Sequence, residues 1–292
     1  MPSVVSQLLK AQITLLNPLL NGMQLETQRR LQDSLAALGA RAAARRTEED
    51  DVDLGTCMLA RVWDADAPRP QQAMLYLHGG GYTAGTLEHA RAFGGMFALE
   101  TGREAFCLGY RLAPENPFPA ALEDALAAYR LMLQEYAPED IAVVGESAGG
   151  GLCFCLCLKL KDEGLPQPGR IVSLSPWADL STSLEACRTM KRDPILRCES
   201  LQVMAEHYLN GHDPRDPLAS PLFGDLTGLP PTLILVGGDE VLLAEDTELH
   251  EKLLACGVRS QLHVEDGMWH VYPLYPVPEA KKAQAMVRAF LE

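Results

Sequence analysis

The stretch Ile141-Ala142-Val143-Val144-Gly145-Glu146-Ser147-Ala148-Gly149-Gly150 decides how the chain is read. Ile141–Val144 is a continuous apolar run, the pattern of a strand buried on both faces of a parallel sheet. A G-x-S-x-G turn follows, and Leu152–Lys161 continues as a helix that is apolar all round. Strand, glycine turn and helix in that order expose a serine on an elbow at the carboxyl edge of a sheet. Glycines flank the serine where the turn leaves no room for side chains. The helix N-terminus behind it favours developing negative charge. Ser147 is the candidate nucleophile.

Upstream, His78-Gly79-Gly80-Gly81 follows the apolar run Ala73–Leu77. Successive glycines let backbone N–H groups approach a substrate oxygen closely, as the oxyanion hole of acyl transfer requires. Gly80 and Gly81 are the expected donors, with Ala148 directly after the serine as the third. Neither a G-K-[ST] sequence nor a dinucleotide fingerprint accompanies the glycines, so a phosphate cradle is set aside. His78 lies on the sheet side of the glycines and reads as a residue that organises the loop. Tyr82, next in the chain, is a candidate wall of an acyl pocket, with plain packing as the alternative.

Downstream, a serine on this kind of elbow needs an acid and then a histidine, in that chain order. Of seven histidines, His250, His263 and His270 lie in the last quarter. His250 falls in a helical pattern and His263 inside the strand Ser260–Val264. His270 follows that strand in a loop, the position a sheet-edge base occupies. Asp239 follows the strand Thr232–Val236 through Gly237-Gly238 and is the expected acid. Glu240, Glu245, Asp246 and Asp266 read instead as helix-start or solvated surface charges.

The rest of the chain frames these residues. Strand-like runs at Cys57–Trp63, Ala73–Leu77, Ala105–Tyr110, Ile141–Gly145, Arg170–Leu174, Thr232–Val236 and Ser260–Val264 alternate with helical stretches at Pro119–Tyr136, Ala148–Lys161, Ala244–Cys256 and Glu279–Leu291. That alternation predicts an α/β fold, a mostly parallel central sheet flanked by helices. The segment Cys187–Leu226 breaks the alternation around one helix, Glu199–Leu209, and reads as an insertion. Met204 and Tyr208 on that helix are candidate substrate-facing residues. Residues 1–46 carry two amphipathic patterns, whose apolar faces cover either the main core or a pocket.

Composition excludes more than it identifies. The 292 residues are 47% hydrophobic and 22% charged, ordinary globular values, and the net charge of −14 repels phosphate backbones and anionic lipid. Nucleic acid is therefore not an expected partner. Met1–Leu20 lacks a basic segment followed by an unbroken apolar core, so no secretory signal is read there. No stretch reaches the roughly 20 apolar residues of a membrane span, and a cytoplasmic location is the expectation. The eight cysteines show no ligand or disulfide spacing. Cys153, Cys155 and Cys157 sit about 200° apart in succession on one helix and cannot converge on a metal. Buried free thiols are expected there, and their oxidation is a candidate route to inactivation.

His78-Gly79-Gly80-Gly81, Tyr110-Arg111-Leu112-Ala113-Pro114-Glu115 with Phe118-Pro119-Ala120, and Gly145-Glu146-Ser147-Ala148-Gly149-Gly150 together resemble the hormone-sensitive-lipase-like branch of the α/β-hydrolases. The resemblance extends through Ser175-Pro176-Trp177, Ser220-Pro221-Leu222, Gly238-Asp239-Glu240 and Trp269-His270-Val271. It departs at Glu146, where aspartate is more usual, and after Asp239, where a proline is common. It implies a Ser147–Asp239–His270 triad and an oxyanion hole of Gly80, Gly81 and Ala148. It also implies a helical cap built from residues 1–46 and 187–226 over a catalytic domain of residues 47–292.

The reaction then expected is hydrolysis of short-to-medium acyl esters, or lactones, through an acyl-enzyme, with neither metal nor organic cofactor. The partner is a small ester molecule, and a homodimer is the assembly that the branch suggests. An amidase or deacetylase would use the same residues. A receptor that kept the fold would lack the catalytic histidine, which is present here as His270.

Overall fold

In the computed structural model, the described residues are 2–20, 25–27, 29–31, 34, 45–181 and 193–292, with side chains described only to residue 16 within the first segment. Eight strands form one sheet: β1 (Thr47–Asp53), β2 (Met58–Asp64), β3 (Ala73–Leu77), β4 (Glu104–Gly109), β5 (Ile141–Glu146), β6 (Arg170–Leu174), β7 (Thr232–Gly237) and β8 (Ser260–Glu265). Their order is β1-β2-β4-β3-β5-β6-β7-β8. The pairs β1–β2 and β2–β4 are antiparallel, and every pairing from β4 to β8 is parallel. This is the mostly parallel α/β sheet that the alternation of elements predicts.

The apolar runs are continuous because both faces are covered. Leu75, Leu77, Val143 and Ile234 point to one core, against α3 (Ala120–Met132), α4 (Ala148–Asp162), α5 (Cys198–Leu209) and α6 (Leu243–Ala255). Met74, Tyr76, Val144 and Leu235 point to the other, against α2 (Leu87–Thr101) and α7 (Pro278–Leu291). Period-two alternation along each strand thus feeds two cores at once. The N-terminal helix α1 (Val4–Leu20) sets Leu9 and Ile13 against this second core.

Two elements escape the sequence pattern. Strand β1 reads Thr-Glu-Glu-Asp-Asp-Val-Asp, with no apolar alternation. It is an edge strand, where charges protect against unwanted pairing, and Arg91 binds its Glu49 and Asp51. Helix α2 carries Gly94-Gly95 in its middle, which lowers its helical signal. Thr86 caps its start by accepting from the Glu88 N–H. The expected insertion does contain a helix, α5 between β6 and β7; its residues 182–192 lie outside the described residues, as does much of 21–44.

Candidate active site

The elbow takes the conformation that its glycines permit. Ser147 sits between β5 and α4 at φ 55°, ψ −122°, a strained backbone for a residue with a side chain. Its N–H donates to Leu174 O (2.8 Å), and its carbonyl accepts from the N–H groups of Gly151 (3.0 Å) and Trp177 (2.9 Å). A Cβ on Gly149 would come within 2.0 Å of Leu77 O, so only glycine lets the elbow lie against β3.

His270 follows β8 and is almost fully buried. Its Nε2 lies 2.9 Å from Ser147 Oγ, and its Nδ1 lies 2.8 Å from Glu240 Oε2. The acid beside the histidine is therefore Glu240, and the expectation of Asp239 is corrected. Glu240 is fully buried, and its other oxygen accepts from the Gly237 N–H (2.5 Å) and from Ser175 Oγ (2.9 Å). Ser175 Oγ in turn accepts from the Val271 N–H (3.0 Å), so one hydroxyl joins the acid's turn to the histidine's loop. Burial pushes the Glu240 carboxyl up, and the adjacent His270 pulls it back.

Asp239 faces the other way. Its Oδ2 lies 2.5 Å from Lys10 Nζ on α1, and its N–H donates to Met268 O. Adjacent residues on a turn project in different directions, and the longer glutamate spans the remaining gap to the imidazole. Chain order narrows the acid to this turn; the turn's phase selects between neighbours.

The glycine loop is anchored from beneath. Gly80 has φ 107°, and a Cβ there would meet Ala84 O at 2.3 Å. Gly79 donates its N–H to Glu146 Oε1 (2.7 Å), Tyr76 donates its hydroxyl to Glu146 Oε2 (2.5 Å), and His89 Nε2 lies 3.1 Å from Oε1. Among the described residues, no protein acceptor takes the N–H of Gly80, Gly81 or Ala148. Ala148 is the first residue of α4, where an N–H has no intrahelical partner. His78 stacks on Tyr110 with ring centroids 4.0 Å apart, and its Nδ1 lies 2.7 Å from Gly79 O. Burial lowers His78 to about 3, so it is neutral and belongs to the loop's support.

All four segments lie at the carboxyl ends of β3, β5, β7 and β8, where open parallel sheets place their sites. A cleft of about 540 Å³ beside Arg61, Arg69 and Tyr136 lies at the opposite strand ends, and Glu104 satisfies all three.

A family described as alpha/beta hydrolase fold matches residues 74–274. The chain belongs to the α/β-hydrolase family. It is 42% identical over 246 residues to an acetyl-hydrolase of Streptomyces hygroscopicus, covering 83% of this chain and 82% of that one. It is 36% identical over 224 residues to an esterase of Acinetobacter venetianus, covering 75% and 74%. Among solved structures, an esterase of the bacterial hormone-sensitive lipase family superposes with a TM-score of 0.88 at 34% identity, over 100% of this chain and 98% of that one. This α/β-hydrolase is accordingly a carboxylic ester hydrolase of the hormone-sensitive-lipase-like branch.

The candidate substrate-facing residues of this α/β-hydrolase cluster on the side of α5. Met204 lies over Gly81: its Sδ occupies the space a Cβ there would need. Tyr82 stacks on Tyr208, centroids 3.8 Å apart and nearly parallel, with Trp177 beside Tyr82. Both tyrosines are buried, and their hydroxyls have no hydrogen-bond partner among the described residues. Arg111 binds Asp124 and Glu123 and so ties its loop to the first turns of α3.

The thiols of Cys153, Cys155 and Cys157 are buried, and burial pushes all three well up. They stay protonated, which removes the thiolate that oxidation requires. Cys198 is disulfide-bonded, which corrects the expectation of no disulfide; linear spacing does not show which cysteines the fold brings together. No described helix is long and apolar enough to cross a membrane.

Proposed function

We propose that this α/β-hydrolase is a serine carboxylesterase for short-to-medium acyl esters, with Ser147 as nucleophile, His270 as base and Glu240 as the orienting acid. The observation that carries the reading is the unbroken line from Glu240 Oε2 through the imidazole to Ser147 Oγ, at 2.8 and 2.9 Å. With Nδ1–H held by Glu240, Nε2 is free to accept the Ser147 proton as Oγ attacks the ester carbonyl. The same nitrogen returns that proton to the leaving alcohol, and water then cleaves the acyl-enzyme. Gly80, Gly81 and Ala148 face the developing oxyanion with N–H groups, each worth about 3 kcal/mol in such a site. The step needs no metal or organic cofactor.

Residues 1–46 and 187–226 form the cap in this reading. Arg29 supports it: its guanidinium donates to Thr83 O (2.6 Å) beside the glycine loop and to Ala113 O (2.8 Å), while pairing with Glu115. Met204 and the Tyr82–Tyr208 stack crowd the Gly81 side and favour small acyl groups. The acetyl-hydrolase name of the Streptomyces relative points the same way.

Reaction with a fluorophosphonate probe, followed by mass spectrometry, tests the nucleophile. The adduct is expected on Ser147, and an adduct elsewhere rejects the assignment. Rates on p-nitrophenyl acetate, butyrate and decanoate test the acyl range; a steep rise toward decanoate rejects it.

A further inference from the structure

Three consecutive residues on the turn after β7 each hold a different part of the molecule. Asp239 binds Lys10 of α1, Glu240 binds His270, and the Val241 N–H donates to Asp193 Oδ2 (3.1 Å) near the start of the inserted segment. Lys10 Nζ also donates to Gly267 O (3.0 Å), in the loop that ends at His270. It thus bridges the two loops that carry the acid and the base. The first turn of α1 is itself fixed: the Ser3 N–H (2.5 Å) and the Ser6 hydroxyl (2.5 Å) donate to Glu279 at the start of α7, and Pro2 lies against Gly267. Asp193 is half-buried, and its Oδ1 accepts from the N–H groups of Ile195 (2.8 Å) and Leu196 (3.2 Å), which orients Oδ2 toward Val241.

We propose that the Asp239–Val241 tripeptide couples the seating of both chain segments, the N-terminal helix and the insertion, to the position of Glu240, with Lys10 and Asp193 as positioning residues. The proposal rests on the reading of Glu240 as the acid. Glu240 is flanked on either side by a residue whose anchor lies in a different segment, so releasing either anchor frees one shoulder of the turn. Catalytic hydrogen bonds tolerate little displacement, and a shift of about 1 Å can cost about a hundredfold in rate. Seated segments hold the imidazole in register; unseated ones leave the serine in place with a misaligned base.

The test uses the full chain, with active sites counted by fluorophosphonate titration. Lys10→Met and Asp193→Asn are each expected to lower kcat on p-nitrophenyl acetate by about tenfold, with KM within about threefold. Lys10→Arg is expected to recover most of the loss. Lys10→Met combined with Asp239→Asn should be no slower than the worse single variant, because the two share one contact. The low-field proton resonance of the His270–Glu240 bond should weaken in Lys10→Met. A lowered melting temperature with unchanged kcat per titrated site overturns the coupling, as does full additivity of the double variant. Glu240→Gln separates the two readings. If it retains kcat, the triad assignment fails; if it is inactive while Lys10→Met and Asp193→Asn run at the wild-type rate, only the coupling fails.

Discussion

Glu240, and not its neighbour Asp239, lies on His270: Oε2 is 2.8 Å from Nδ1, whereas the Asp239 carboxylate points to Lys10. Two adjacent acids on one turn therefore have different work, and substitution separates them. Glu240→Gln is expected to lower kcat by about 10³- to 10⁴-fold, since the amide no longer fixes the tautomer or stabilises the imidazolium. Asp239→Asn weakens the pair with Lys10 and leaves the His270–Glu240 contact in place, so it should cost about tenfold or less. Steady-state rates on p-nitrophenyl acetate decide between them; the reverse ranking returns the acid's role to Asp239.

Met204 lies over Gly81 and narrows the space beside a proposed oxyanion donor. Met204→Ala removes that bulk without touching Ser147, His270 or Glu240. The ratio of kcat/KM for p-nitrophenyl decanoate over acetate is expected to rise about tenfold, the worth of a few methylenes in a pocket. An unchanged ratio means that the acyl chain lies elsewhere.

Glu146 holds the glycine loop through the Gly79 N–H and buries the Tyr76 hydroxyl against its second oxygen. Glu146→Ala leaves both donors without that acceptor and lets Gly80 and Gly81 drift. The expected result is a fall in kcat of about a hundredfold together with lower thermal stability. Single-turnover acylation monitored with p-nitrophenyl acetate locates the loss in the step where the oxyanion forms. A loss confined to KM contradicts the anchoring role.

Asp246 is fully buried next to Glu240 and Glu245, and neither of its oxygens has a hydrogen-bond partner among the described residues. Burial, reinforced by those two acids, pushes its carboxyl well above the ordinary 3.8. The folded chain therefore binds this proton more tightly than the unfolded chain does. Its contribution to stability is complete below the unfolded value and is lost as pH rises through the raised folded value. Asp246→Asn carries no such penalty. Its melting temperature is expected to exceed that of the wild type at pH 8, by about 2–4 °C for each kcal/mol gained, with the advantage shrinking toward pH 5. A constant difference across pH removes ionisation as the cause.

The order of elements, the elbow around Ser147, the glycine loop and the histidine that meets the serine, His270, could all be read in the chain, because each depends on local pattern. Continuous apolar runs mark the buried strands β3, β5, β6 and β7, and turn glycines mark where the backbone must pass closely. Strand β1 had no such signal, since an edge strand needs no apolar alternation, and α2 was blurred by its paired glycines.

What the sequence determined by itself was a mostly parallel α/β sheet, with the serine elbow, the glycine loop and His270 as candidate site residues at one edge. Only the tertiary structure decided which of two adjacent carboxylates meets the imidazole, because that depends on the phase of the turn after β7 and on side-chain reach. It also placed Ser175 between the acid and the histidine loop, Lys10 on Asp239 and Met204 over Gly81. These contacts join residues far apart in the chain, and no spacing along it encodes where two separately folded elements touch.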